Sequence, residues 1–291
     1  MADRQWAGST FGNGWMHGSL VRCLRVIDTR VFYLFSAVFI IPFCVVFNRS
    51  GRISYRFFRE RLGYGRCRAC RSVYVNHYRF AQAVIDKFAM YAGRRFDVEV
   101  EGLEFFNARA AGGEGFIHMS SHIGNYEIAG YTLPSDKKAI NAVVFADEKA
   151  SVMAGRSDMF GKTNVRMITL KRDMSHLYDI DNALCNGEIV SFPTDRFIDG
   201  KFLECEFLGG KAKFPMGPFS VATMRGLDVL AVNVMKESAR RYRIYVTPLD
   251  YDRTLPRKGQ MEQLLRAYVA ELERMVRRYP VQWFNFYDFW A

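Results

Sequence analysis

Acidic residues are scarce in the first third of this 291-residue chain. Residues 1–95 carry 16 Lys/Arg against only Asp3, Asp28, Glu60 and Asp86, an excess of 12. The remaining 25 Lys/Arg face 26 Asp/Glu, so the formal net charge of +11 belongs wholly to the N-terminal part. A nucleic-acid binder also gives a basic skew, but the near-neutral residues 96–291 count against that class. Paired cysteine motifs are equally scarce. Of six cysteines only Cys67 and Cys70 are closely spaced, and a structural zinc site needs a second such pair. Unpaired thiols in a reducing compartment are the expectation, with no metal and no cofactor. The chain has no internal repeat, no low-complexity tract and no G-x-S-x-G nucleophile motif.

One long stretch lacks charge altogether. VFYLFSAVFIIPFCVVF, residues 31–47, is 17 residues long, at the short end of what spans a bilayer of about 30 Å. Arg22, Arg25 and Arg30 precede it, and Arg49, Arg52 and Arg56 follow. No small-residue cleavage site follows, which argues against a secretory signal. Basic residues on both sides leave orientation undecided, and Pro42 is expected to kink the segment, so shallow insertion is as reasonable as crossing. Flanking arginines suit anionic headgroups. Residues 1–60 read as a basic membrane anchor and 61–291 as the catalytic or binding domain. The 49% apolar and 15% aromatic content is enough for one sizeable core.

Beyond residue 93 short β-rich runs alternate with helical ones. Strands are expected near 96–100, 116–119, 140–145, 165–169, 188–192, 202–207, 228–235 and 242–248. Helices are expected at 78–91, 103–111, 124–131, 173–185, 217–226 and 260–279. This pattern predicts an α/β fold: a mixed, largely parallel central sheet flanked by helices, with an N-terminal membrane-associated helical segment. Ligands usually bind in loops after such strands.

In one of those loops lies HMSSHIGNYEIAG, residues 118–130. His122 and Glu127 are five apart, so on one helix they would point to different faces. For the carboxylate to reach the imidazole, His122 must sit ahead of a helix that starts near Gly124, and Gly124-Asn125 gives the backbone that freedom. A carboxylate on one ring nitrogen fixes the tautomer and stabilises the imidazolium formed when the other takes a proton. General-base activation of a hydroxyl or amine is the chemistry suggested. The alternative is an ordinary helix start, with Ser120 or Ser121 as a cap. His118 reads as a core residue.

The H-x4-E sequence after a strand resembles the motif of the lysophospholipid acyltransferase superfamily, and most closely its lipid A acyltransferase-like branch. SSHIGNYEIAG looks like the first block, and SFPTDRFIDG (191–200) falls where the family has a substrate-binding block. FLGGKAKFPMGPFSVA (207–222) resembles the Pro-x-Gly-Pro block, and YPVQWFNFYDFW (279–290) the C-terminal P-x-Q-W signature. The resemblance implies direct acyl transfer from a thioester, with His122 as base and Glu127 orienting it. Asp195 and Arg196 are then candidates for the acceptor's polar head or the thioester carrier, and Asn125 and Gly217 further substrate-binding candidates. The implied donor is acyl carrier protein, less readily coenzyme A. The implied acceptor is a lipid at the cytoplasmic face of a bacterial inner membrane.

Two departures bear on the acceptor. Thr194-Asp195-Arg196 stands where the glycerolipid branch has Glu-Gly-Thr-Arg. Asn285-Phe286-Tyr287-Asp288 stands where lipid A enzymes are basic. The tail looks more like that of predicted acyltransferases of aryl-polyene and amino-acid-lipid pathways. A catalytically silent lipid-binding module is the competing reading.

Overall fold

The computed structural model describes residues 14–133, 138–145, 164–171 and 173–290. Four helices come first: α1 (Gly14–Val26), α2 (Thr29–Phe47), α3 (Arg49–Arg56) and α4 (Arg66–Tyr91). Then follow β1 (Asp97–Glu101), α5 (Leu103–Ala111), β2 (Phe116–Ser120), the short α6 (Ala129–Thr132), β3 (Ile140–Phe145) and β4 (Val165–Leu170). The chain continues through α7 (His176–Cys185), β5 (Ile189–Pro193), β6 (Phe202–Phe207), β7 (Gly210–Pro215) and α8 (Met216–Met224). It ends with β8 (Val229–Lys236), β9 (Arg241–Pro248) and α9 (Arg257–Arg278).

Among the described residues the main sheet has seven strands in the order β1-β9-β8-β2-β5-β3-β4. Every neighbouring pair is parallel except β8 with β9, which are joined by a tight antiparallel turn. β2 is central and buried along its whole length, as parallel strands with both faces covered must be. Its odd residues, Ile117 and Met119, join the core under α9. Phe116 joins a second core on the opposite face, with Phe106 of α5 and Ile128. β6 and β7 form a separate antiparallel hairpin.

The N-terminal helices are packed onto this domain. Phe57 and Phe58 belong to the main core, and Tyr33 of α2 joins Leu24, Ile85, Phe88 and Ala89 in a third cluster. The proline effect expected in α2 takes the form of a π turn at Ser36–Ile40, just ahead of Pro42. Proline lacks the N–H and crowds the carbonyl four residues back, and a wider turn relieves both. One side of α2 faces the domain through Thr29, Tyr33, Ser36 and Ile41. Leu34, Val38, Phe39, Phe43, Val46 and Phe47 are exposed. A row of large exposed apolar side chains on one helix face marks an interaction surface, not a plain water-facing one.

Candidate active site

β2 and β5 are adjacent and parallel, in the register Ser120↔Pro193, so the loops after them leave the same edge of the sheet side by side. Thr194 N–H donates to Ser120 O at 2.9 Å and continues the ladder one step beyond β5. Just beyond, the residue after Thr194 meets the second residue after Ser120. Asp195 accepts from His122 Nδ1 at 2.7 Å through Oδ1 and from the His122 backbone N–H at 2.8 Å through Oδ2. One carboxylate therefore holds both the ring and the main chain of the histidine. The His122 side chain is 17% exposed and that of Asp195 only 2%. Burial alone would raise the Asp195 pKa. The attraction of His122, its hydrogen bonds and the nearby Arg196 outweigh that, and the net shift is downward.

The carboxylate on Nδ1 is thus Asp195's, where the sequence reading expected Glu127. Glu127 is buried in a 3₁₀ turn, Tyr126–Ile128, and its carboxylate pairs with Lys87 Nζ of α4 at 2.7 Å. It also accepts from the Tyr91 hydroxyl at 3.1 Å. The helix expected to begin near Gly124 begins later, because Ile123 and Gly124 are used in isolated β-bridges. Ile123 pairs with Trp283 and Gly124 with Val234. Gly124 N–H donates to Gln282 O at 2.8 Å, and Asn125 N–H to Val234 O at 2.9 Å. Gly124 has φ +66°, and a Cβ there would lie 1.7 Å from Val234 O. No other residue fits this bridge.

Asn125, expected to bind substrate, is buried. Its side chain donates to Ala83 O at 3.3 Å. Arg196 follows Asp195, half-buried, and its Nη2 donates to Phe284 O at 3.0 Å. Phe284 N–H in turn donates to His122 O at 3.0 Å. Gly217 lies in the first turn of α8, where a Cβ would meet nothing within 4 Å. Protein packing does not demand glycine there.

Other residues support the site without having been singled out in the sequence. Gln282 of the P-x-Q-W block grips β8 at both polar groups of Lys236, each at 2.9 Å. Tyr268 of α9 donates to Ser120 O at 3.1 Å. Ser121 Oγ donates to Asn233 Oδ1 at 3.1 Å, and Asn233 Nδ2 to Glu271 Oε1 at 3.2 Å. The available signal was Gln282's place inside a recognisable block. Lys87 and Tyr91 had none beyond lying on one helix.

A buried carboxylate on one nitrogen of a part-exposed imidazole, at the carboxyl ends of two parallel strands, is the geometry of a general base. Residues 81–291 match the bacterial lipid A biosynthesis acyltransferase family. The chain belongs to that family and is a lipid acyltransferase. It is also similar to the crystal structure of PlsC, the 1-acyl-sn-glycerophosphate (LPA) acyltransferase of Thermotoga maritima. That similarity covers 92% of this chain and 99% of the other, at 18% identity and a TM-score of 0.38. No curated protein matches the chain.

Proposed function

We propose that this chain is a membrane-associated acyltransferase that moves a fatty acyl group from acyl carrier protein to a hydroxyl of a lipid or glycolipid acceptor. The observation that carries the mechanism is the two-point hold of Asp195 on His122. With Nδ1–H donated to Asp195, Nε2 takes the acceptor's hydroxyl proton. The acceptor oxygen attacks the thioester carbonyl, and the tetrahedral intermediate collapses by breaking the carbon–sulfur bond. The departing thiolate recovers the proton from the imidazolium, and no covalent enzyme intermediate forms. Asp195 keeps the tautomer and stabilises the imidazolium. Glu127 acts one step back, fixing the loop against Lys87 and Tyr91 of α4.

Arg196 is our candidate for anionic oxygens of the acceptor head or the carrier arm, since its planar fork suits them. The open space at Gly217 lets substrate approach the backbone there. The basic N-terminal third favours an acidic carrier protein as donor. The exposed face of α2 is the membrane contact. α2 packs against α4, with Tyr74 OH donating to Ala37 O at 2.8 Å, and its other side is free for the bilayer, which supports shallow insertion; the cytoplasmic face is part of the proposal. An aryl-polyene or amino-acid lipid is the second acceptor class, favoured by the non-basic residues 285–288.

The test is a product search. The protein is incubated with acyl carrier protein charged with an isotope-labelled fatty acyl group and with total bacterial membrane lipid, and the labelled lipid is identified by mass spectrometry. Folded His122→Ala should lose activity by about 10²–10⁴-fold. Absence of any His122-dependent labelled lipid, with the carrier protein or with coenzyme A, would sink the reading.

A further inference from the structure

We propose that the buried cluster of Tyr33, Asp86, Lys236 and Tyr242 is a positioning device that couples the seating of α2 on a lipid surface to the geometry of the His122 loop. The inference rests on the membrane reading of α2 given above. The four residues come from four elements, α2, α4, β8 and β9, and none is more than 3% exposed. The Asp86 carboxylate accepts from the hydroxyls of Tyr33 and Tyr242 and is paired with Lys236 Nζ. Lys236 Nζ also reaches the Tyr33 hydroxyl at 3.3 Å and Ala239 O at 3.3 Å.

Burying an ion pair costs desolvation of both charges, and apolar side chains of similar volume often give equal or better stability. What the pair adds is a single geometry, since a charged group at full burial accepts only one set of partners. The connections out of the cluster lead to the active site. Gln282 grips the Lys236 backbone on both sides, and its own carbonyl accepts the Gly124 N–H. Val234, two residues up β8, accepts the Asn125 N–H at 2.9 Å. Gly124 and Asn125 are the second and third residues after His122. The contact of Gly124 with Val234 is tight enough to leave no room for a Cβ, so a shift at the end of β8 passes to the loop.

α4 makes a second link. Asp86 is followed by Lys87, which pairs with Glu127, and Ala83 O accepts from Asn125. Tyr33 is the only one of the four supplied by the helix whose other face is apolar and exposed. Lipid that holds α2 in place therefore holds the Tyr33 hydroxyl on Asp86. If α2 lifts, Asp86 loses one donor and the ion pair opens toward water.

Hydrogen exchange at individual amides tests this without any substrate. Full-length protein is compared in dodecyl maltoside and on vesicles of phosphatidylethanolamine and phosphatidylglycerol. Tyr33→Phe keeps the ring and removes only the hydroxyl. The wild type should exchange Gly124 and Asn125 more slowly on vesicles than in detergent. Tyr33→Phe should lose that protection and exchange both amides about tenfold faster, by local opening, while the amides of β3 and β4 stay unchanged. The double variant Asp86→Leu, Lys236→Met removes both charges, keeps the fold and should show the same local loss. Exchange at Gly124 and Asn125 that is as slow in folded Tyr33→Phe as in the wild type overturns the proposal. So does wild-type exchange there that ignores vesicles, or a loss of protection spread evenly over the sheet. Each of these results stands whether or not acyl transfer is detected, so the two readings fail separately.

Discussion

Asp195 holds His122 at two points, Oδ1 on Nδ1 at 2.7 Å and Oδ2 on the backbone N–H at 2.8 Å. A carboxylate that fixes both ring and main chain leaves the imidazole one tautomer and one orientation. Asp195→Asn keeps the shape but offers an amide N–H in place of one acceptor oxygen. Loss of the correct tautomer should then lower kcat by about 10³–10⁴-fold, with the double variant carrying His122→Ala hardly worse than His122→Ala alone.

Glu127→Gln should behave differently. Glu127 and Lys87 are both largely buried as a pair at 2.7 Å, and removing one charge strands the other at a cost of about 3–5 kcal/mol. The expected result is a clear drop in Tm with a kcat loss well below that of Asp195→Asn. Measuring both variants for kcat and Tm decides the matter. The reverse order of kcat losses would restore Glu127 as the carboxylate that acts on His122.

The elements were largely legible in the sequence, and their neighbours were not. Alternation of β-rich runs with helical ones places eight of the nine described strands to within a residue or so, because those strands are rich in Val, Ile, Leu or Phe; β7, GKAKFP, has little of that pattern and goes unexpected. α4 was expected from residue 78 but begins at Arg66. In its first half only Ala69 and Val73 of the buried face are apolar, while Ser72, Asn76 and His77 are polar, too few apolar positions to mark a helical period. The pairing of β2 with β5 depends on strand order, which no local pattern records. For that reason local sequence points to the nearer acid, Glu127, as the partner of His122, and Asp195 stands out only as a substrate-binding candidate.

Arg196 is expected to affect binding more than chemistry. Its guanidinium donates to Phe284 O, whose own N–H donates to His122 O, so the fork lies next to the His122 loop. Arg196→Lys keeps the charge and loses the planar geometry. KM for donor or acceptor should rise more than kcat falls, the pattern of lost uniform binding. Steady-state kinetics with each substrate varied in turn checks it, and unchanged KM values for both would reduce Arg196 to a strut for the C-terminal segment.

Membrane attachment is best tested without deletion. Cutting at residue 60 would strip Phe57 and Phe58 from the core, so a truncated chain would confuse release with misfolding. Phe39, Phe43 and Phe47 are 66%, 60% and 71% exposed on one side of α2. Changing all three to Ser removes little from the fold. It should move the protein from sedimenting vesicles to the supernatant with Tm unchanged. Full sedimentation of the folded triple variant would remove α2 as the membrane contact.

His118 provides a test of stability against pH. It lies on β2 with both ring nitrogens buried and without a hydrogen-bond partner, and burial lowers its pKa from 6.5 to about 4. In the unfolded chain the imidazole takes a proton as pH falls through 6.5, whereas the native state resists it. The unfolded state then binds more protons, so stability rises with pH in this window. The contribution is intact above about pH 6.5 and is lost progressively as pH falls toward about 4, to an extent on the order of 3 kcal/mol. His118→Leu removes the titration and the two unpaired nitrogens together, and should leave neutral-pH stability equal or higher. Denaturant melts from pH 7 to pH 4.5 should show the wild type losing stability more steeply than His118→Leu. Parallel curves would mean that the buried imidazole takes up its proton without cost, and that His118 has no part in acid sensitivity.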